Sequence, residues 1–333
     1  MNVITVEEHY MSKCVNEQYT KATTSIHTTP QEQAKAAFIQ QYVEQDGGIS
    51  EVGEKRIAYM NRCGVDVQII GYGNNNPMDL NAKDAIPLCR MANDDLAADI
   101  AKYPDRFYGF ASLPVADPNA AAIELKRCVT TLGFKGAMLA GTFQGKFFDA
   151  PEFYPIFEKA AALHVPVSLH PGEVDSAITQ HYYVGNWSSQ VTTTLAGHGF
   201  GWHADAGIHI LRLILSGLFD QLPDLTLISG HWGEMIPYFF ERLDETLPMS
   251  VTGLKQNISD YFKTNIYVSP SGMFYDAPFQ LCLHSIGADR ILWSMDYPYM
   301  MREQTKEYLM NMPITQKEKE LIAHQNAESL FHI

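Results

Sequence analysis

Cysteine is scarce and badly placed for cross-linking. The five residues (Cys14, Cys63, Cys89, Cys128, Cys282) are odd in number, widely scattered and never spaced as CxxC, which argues against both a disulfide framework and a thiolate zinc site. Positive charge is scarce too. With 24 Lys and Arg against 38 Asp and Glu the formal net charge is -14, which disfavours nucleic acid and anionic membrane surfaces, themselves negative, as partners. No apolar run is long enough to span a bilayer, and no cationic stretch followed by an apolar one opens the chain. No GxGxxG follows a candidate strand, so a dinucleotide-binding fold has no support. These absences together lead us to expect a cytoplasmic protein, neither secreted by signal nor membrane-spanning, whose partners are small molecules.

What is present is the composition of a packed globule, 46% hydrophobic and 19% charged over 333 residues. The opening stretch Val3-Ile4-Thr5-Val6-Glu7-Glu8-His9 is a β-branched, apolar run that stops abruptly at two carboxylates and an imidazole. Residues i and i+2 of a strand share a face, so Glu7 and His9 can converge while Glu8 turns away. A buried strand tip is a costly place for charge unless a cation is shared there. The bland alternative is a strand that runs out into solvent.

Downstream, strand-like and helix-like segments alternate. The strand-like runs are 65–72, 107–113, 136–140, 165–169, 225–229, 266–268 and 291–294, and helical patterns lie between them, over 50–63, 85–103, 118–132, 151–163, 206–218, 235–243 and 277–286. Two segments interrupt the rhythm: an insert over about 10–50, with a helix expected over Gln31–Gln45, and an excursion from Pro171 to about Trp202. About eight strands alternating with helices predict an α/β fold, a (β/α)8 TIM barrel in one domain over 1–333, with inserted loops or helices after strands one and five. In such a barrel chemistry gathers at the C-terminal ends of strands. Glu7 and His9 end the first strand, His170 the fifth, His231 the sixth and Asp296 the eighth. Twelve histidines could put one at a strand tip by chance, but four occupied tips are hard to dismiss.

The motifs that carry these residues resemble the amidohydrolase superfamily, and within it the branch of nonoxidative, metal-dependent decarboxylases that includes γ-resorcylate and 2,3-dihydroxybenzoate decarboxylases. The likeness runs through Glu7-Glu8-His9, Phe110 to Pro114, Leu132 to Ala137, His170-Pro171, Ser216 to Asp220, Gly230 to Glu234, Arg242 to Asp244, Gly287 to Leu292, Asp296-Tyr297-Pro298, Asn326-Ala327 and Leu330-Phe331. The resemblance implies one divalent metal, zinc first and manganese as the alternative, held by Glu7, His9, His170 and Asp296. Two-metal relatives carry a lysine at the end of strand four, whereas Lys135 here precedes that strand.

The resemblance further implies that Asp296, His231 and Glu234 carry the chemistry and that Arg242 lies near the substrate, although a local salt bridge to Asp244 or Glu245 would explain Arg242 equally well. His231 and Glu234, three apart, can pair so that the carboxylate fixes the imidazole tautomer. Tyr72, Tyr297 and Tyr299, with Trp187 and Trp202, could line a pocket for a planar ring, or simply belong to the core. The expected function is nonoxidative decarboxylation of a small hydroxylated aromatic acid such as a 2-hydroxybenzoate, by a homo-oligomer, dimer or tetramer. Metal-assisted hydrolysis of a small amide or lactone is the alternative, since the same ligands permit it.

Overall fold

A computed structural model describes residues 1–23 and 48–333. The helix expected over Gln31–Gln45 lies outside the described residues. The described residues form eight parallel strands: β1 (Ile4–Tyr10), β2 (Val67–Tyr72), β3 (Phe107–Gly109), β4 (Ala137–Ala140), β5 (Val167–His170), β6 (Leu227–Ser229), β7 (Ile266–Val268) and β8 (Trp293–Ser294). They hydrogen-bond in two runs, β3-β2-β1-β8 and β4-β5-β6-β7. Single bridges, Ala111 to Ala137 and Val268 to Ile291, join the runs at both seams, so the strands follow one another round a (β/α)8 barrel.

The barrel interior is filled by Ile4, Val6, Ile69, Phe110, Met138, Ile228 and Leu292, with Ala327 and Phe331 packed against them. A larger apolar layer fills the space between strands and surrounding helices. Interior packing of this kind makes the barrel a solid core rather than a pore, leaving only its mouth for a site.

The helix over Glu54–Cys63 ends where Gly64 takes a left-handed C-cap, and the helices Ala82–Ile100 and Pro118–Thr131 start on the side chains of Asn81 and Asp117. Two departures from the expected pattern matter. The helix expected from about Ala206 begins earlier, spanning Gly201–Leu215. That expected over 235–243 becomes a tight turn at Ile236–Phe239 followed by a short helix at Phe240–Thr246, because Met235 is left-handed and Pro237 cannot donate to a helix. The insert after β1 also contributes a helix, Lys13–Thr23, that the sequence pattern did not reveal. Among the described residues, no helix is long and apolar enough to cross a membrane.

Candidate active site

The mouth of the barrel depends on an irregularity in β1. Thr5 pairs with Gln68 and Glu8 with Ile70, so Val6 and Glu7 together stand opposite the single residue Ile69. This bulge resets the alternation of side chains. Ile4 and Val6 point into the barrel below it. Beyond it Glu7 and His9 face the mouth, while Glu8 turns to β8 and accepts the backbone N–H groups of Met295 and Tyr297, both at 2.9 Å. Glu7 adopts a left-handed φ of 61°, and left-handed residues recur at the tips: His231 (48°), Ser271 (47°) and Asp296 (62°). Non-glycine residues rarely adopt this region without compensation, and here the compensation comes from the hydrogen bonds of the mouth.

His9, His170 and Asp296 bring ligand atoms within 4.8 Å of one another. His9 Nε2 lies 2.9 Å from Asp296 Oδ1. That approach is not an ion pair, because burial, with Arg56 and His231 nearby, holds the His9 imidazole down at about 3 and therefore neutral. Neither ring nitrogen of His9, nor Asp296 Oδ1, has a hydrogen-bond partner, although all are buried. His170 bonds through Nδ1 to the carbonyl of Pro171 at 2.7 Å, which leaves Nε2 as its lone-pair nitrogen. Buried lone pairs converging without protons between them form a donor set that fits a divalent cation.

Glu7 was expected as the fourth member, and the structure does not place it in that close group. Its Oε2 accepts the hydroxyls of Ser269 (2.8 Å) and Ser271 (2.5 Å), which draw the carboxylate towards β7. Oε1 remains buried and unpartnered, 3.9 Å from His231 Nδ1. A Cβ at position 230 would fall 2.3 Å from this oxygen, so Gly230 is what lets Glu7 cross the mouth. Lys135 lies away from the mouth, before β4, where its Nζ reaches the carbonyl of His332; the C-terminal end of β4 offers only Ala140.

Beside the group stands a hydrogen-bonded chain. His231 Nδ1 lies 2.7 Å from Glu234 Oε1, and His203 Nδ1 lies 2.9 Å from Glu234 Oε2. Glu234 is 0% exposed. These three could also be read as ligands of a second ion. The chemistry favours a proton network, because the Nδ1 atoms that face the carboxylate must carry hydrogens and have no lone pair to give. Burial disfavours charge on His231, yet Glu234, Glu7 and Asp296 outweigh it and push the imidazole up to about 10. Burial raises Glu7 and Asp296 to about 7, with His231 pulling both the other way. His231 to Met235 are all left-handed, with φ between 48° and 76°, so this turn concentrates strain of about 1–2 kcal/mol per non-glycine residue.

The remaining expected residues divide. Tyr299 stands at the site, its ring centroid 4.9 Å from that of His9 and its hydroxyl bonded to Asn74. Tyr72 does not face the site: its neighbour Gly71 faces Met138 inside the barrel, so parity turns Tyr72 outward against Tyr10 in the outer core. Tyr297 is likewise core, packed on Tyr59 and under the Arg56 guanidinium. Arg242 is 71% exposed and pairs with Glu245 at 3.2 Å, so within this chain the local salt bridge explains it and the substrate contact does not. Its short helix presents that side chain to solvent. Trp187 is half-exposed, held by Tyr183 and Thr192.

The family model described as Amidohydrolase matches residues 25–333. The chain belongs to the amidohydrolase family. It is 36% identical over 293 residues to the decarboxylase orsB of Emericella nidulans, an alignment covering 86% of this chain and 87% of that one. It is 35% identical to the γ-resorcylate decarboxylase of a Polaromonas species, covering 85% and 88%. Among solved structures it resembles 5-carboxyvanillate decarboxylase of Novosphingobium aromaticivorans, complexed with manganese and 4-hydroxy-3-methoxy-5-nitrobenzoic acid. The TM-score is 0.90 at 29% identity, with 100% of this chain and 96% of the other covered.

Three features of this amidohydrolase site escaped the sequence reading. His203 follows the Gly-rich run Gly197 to Gly201, which reads as loop and hides a helix start. Ser269 and Ser271 follow β7 at the i, i+2 spacing that could have pointed them at one ligand, but serines after a strand are ordinary. Arg56, fully buried, donates to the carbonyl of His9 at 2.5 Å; its helix carries two arginines, Arg56 and Arg62, and nothing in the sequence marked which of them is buried.

Proposed function

We propose that this amidohydrolase is a metal-dependent nonoxidative decarboxylase of a small hydroxylated aromatic acid. The observation that carries the reading is the convergence of His9, His170 and Asp296 at the mouth of the barrel, where the ring nitrogens of His9 and Oδ1 of Asp296 are buried without hydrogen bonds, in a chain whose relatives include the decarboxylase orsB and a γ-resorcylate decarboxylase. His9, His170 and Asp296 would hold one divalent ion, with Glu7 Oε1, buried and unpartnered, as a fourth ligand. Manganese, present in the solved relative, and zinc are the ions to compare. When bound, the ion supplies positive charge that can hold a carboxylate together with an ortho hydroxyl.

The chain's own groups do the rest. Direct loss of CO2 would leave an unstabilised aryl carbanion, so the ring carbon that bears the carboxylate must take up a proton before the C–C bond breaks. Asp296, whose carboxyl burial lifts to about 7 in the metal-free chain, is the group to deliver that proton, and His231, cationic beside Glu234, is the group to replace it. The proton joins the ring, the bonding pair of the broken C–C bond restores aromaticity, and CO2 departs. Tyr299, next to His9, would contact the ring. The same proposal includes a single domain, a homo-oligomer and a cytoplasmic setting, the last supported by five cysteines that are all free thiols.

The test is incubation of manganese- or zinc-loaded protein with 2,6-dihydroxybenzoate while CO2 and resorcinol are followed, beside a panel of lactones and amides. Metal-dependent CO2 release is expected. Lactone or amide turnover without CO2 would replace the reading with hydrolysis.

A further inference from the structure

Arg56 is 0% exposed, although Arg62 on the same helix is half-exposed and paired with Glu303. One Nη donates to the carbonyl of His9 at 2.5 Å, and the guanidinium carbon lies 4.6 Å from the centroid of the Tyr297 ring. Nε and the other Nη are buried without a partner, even though the Glu8 and Glu51 carboxylates are near enough to favour the charge. A desolvated cation with two orphaned donors is a poor way to fill space, since an apolar side chain of similar volume would pack there without that penalty. What an apolar side chain cannot supply is the hydrogen bond to His9.

That bond falls where the sheet stops. β8 pairs with β1 at Thr5 and Val6 and goes no further. Past the bulge the edge of β1 that faces β8 has no ladder, and a buried backbone group left there needs another partner. His9 finds two: its N–H donates to the carbonyl of Tyr297 at 2.7 Å, and its C=O accepts from Arg56. The imidazole is not fixed in this way. Neither of its nitrogens has a hydrogen-bond partner, whereas His170 is oriented through Nδ1 by the carbonyl of Pro171. Ligating histidines are ordinarily oriented by a bond to the ring. For His9 the orientation has to come from the backbone and from the rings of His170 and Tyr299 beside it, at 4.8 and 4.9 Å between centroids.

We propose that Arg56 is a positioning residue of the metal centre: stacked on the Tyr297 ring, it caps the free edge of β1 and fixes the direction in which His9 presents its lone pair. The proposal rests on the metal site of the reading above, not on the reaction assigned to it. The aromatic face takes up part of the guanidinium charge, so no carboxylate has to bond at that point. Replacing Arg56 removes no ligand atom, and its effect reaches the centre through the His9 backbone.

The experiment titrates metal-free wild type, Arg56→Met and Arg56→Lys with manganese and with cobalt, whose visible absorption reports ligand geometry. Arg56→Met is expected to bind both ions roughly 10-fold more weakly, the low end for a residue that orients a ligand, because the contact is made on the backbone. Its cobalt band should shift. Arg56→Lys keeps a charged donor on a flexible stem and should recover affinity to within about threefold of the wild type. A residue that only filled space would leave affinity and band unchanged in Arg56→Met, and that result overturns the proposal, as does an Arg56→Lys no better than Arg56→Met. Should Arg56→Met fail to fold, the wild type decides: the Arg56 Nε–H resonance, identified by its absence from Arg56→Lys, is expected to move and to exchange more slowly with water when zinc is added. An unmoved resonance overturns the proposal. A wild type that binds neither manganese nor cobalt removes the metal site and this inference with it, whereas a wild type that binds both, matched by Arg56→Met, removes this inference alone. Both results stand whether or not CO2 is released.

Discussion

Glu8 grips Asp296 from both sides. One carboxylate oxygen accepts the N–H of Met295 and the other the N–H of Tyr297, so the residue between them is held in its left-handed conformation with its side chain toward His9. Glu8 never reaches the mouth, yet it sets where one of the converging ligands stands. Replacing Glu8 with Gln puts an amide NH2 against a backbone N–H, two donors facing each other. The expected result is loss of metal affinity by roughly 10- to 100-fold, as for other residues that orient ligands, and a stability cost of about 1–3 kcal/mol for the orphaned buried donor. Metal titration and denaturant unfolding of Glu8→Gln check both.

Gly207 poses a contest between two terms. In a helix interior Ala is better than Gly by about 0.5–1 kcal/mol. Here the added Cβ would meet the carbonyl oxygen of Glu234 at 2.6 Å, backbone that cannot swing aside, and overpacking of this kind costs about 1–3 kcal/mol. The clash should win, so Gly207→Ala is expected to lower stability and to slow turnover by moving Glu234. A variant as stable and as fast as the wild type would show that the helix and turn are not tightly apposed.

The strand tips were legible because charge at the end of an apolar run is expensive anywhere but at a site, and the alternation of strands and helices gave the barrel. The shared face of Glu7 and His9 was legible; the bulge that puts Ile4 and Val6 on that same inward side was not. Ile4 and Val6 point inward, and alternation alone would send Glu8, not Glu7, into the mouth; the bulge that reverses this is a property of pairing with β2. The same ambiguity misplaced Tyr72, which shares the outer face with Tyr10. Tyr297 follows Asp296 directly, and adjacency in sequence turned out to mean opposite sides. His203 was hidden because glycines flanking it suggested a loop, when one of them begins the helix. Arg242 depended on the direction of a short helix, which local sequence does not fix.

Lone pairs gathered without protons repel one another until a cation joins them, so metal should stabilise the fold as well as serve its chemistry. A ligand that binds only the native state at a hundred times its Kd contributes about 2.7 kcal/mol. Dialysis against a chelator is therefore expected to lower Tm, and manganese or zinc to restore it. His170→Asn should blunt the restoration, since His170 Nε2 is the nitrogen its bond to Pro171 leaves open. An unfolding transition indifferent to both chelator and metal would count against His9, His170 and Asp296 as a cation site.

His209, on the helix that carries His203, supplies a pH dependence remote from the mouth. Its Nε2 accepts the backbone N–H of Phe148 at 2.8 Å, and the rings of Phe147 and Phe148 pack around it. Burial lowers the imidazole to about 4; the Asp149 carboxylate opposes this and the Arg212 guanidinium adds to it. Between its unfolded value of about 6.5 and that folded value, the unfolded chain binds the proton and the folded chain does not. The neutral ring's contribution is therefore complete above pH 6.5 and is lost as pH falls toward 4. A shift of this size corresponds to about 3 kcal/mol at one unit per about 1.4 kcal/mol. His209→Gln, which keeps an acceptor for Phe148 but does not titrate, should show a flatter fall in stability across this window, by denaturant unfolding at a series of pH values. Parallel curves for variant and wild type would mean that His209 gains its proton without resistance from the fold.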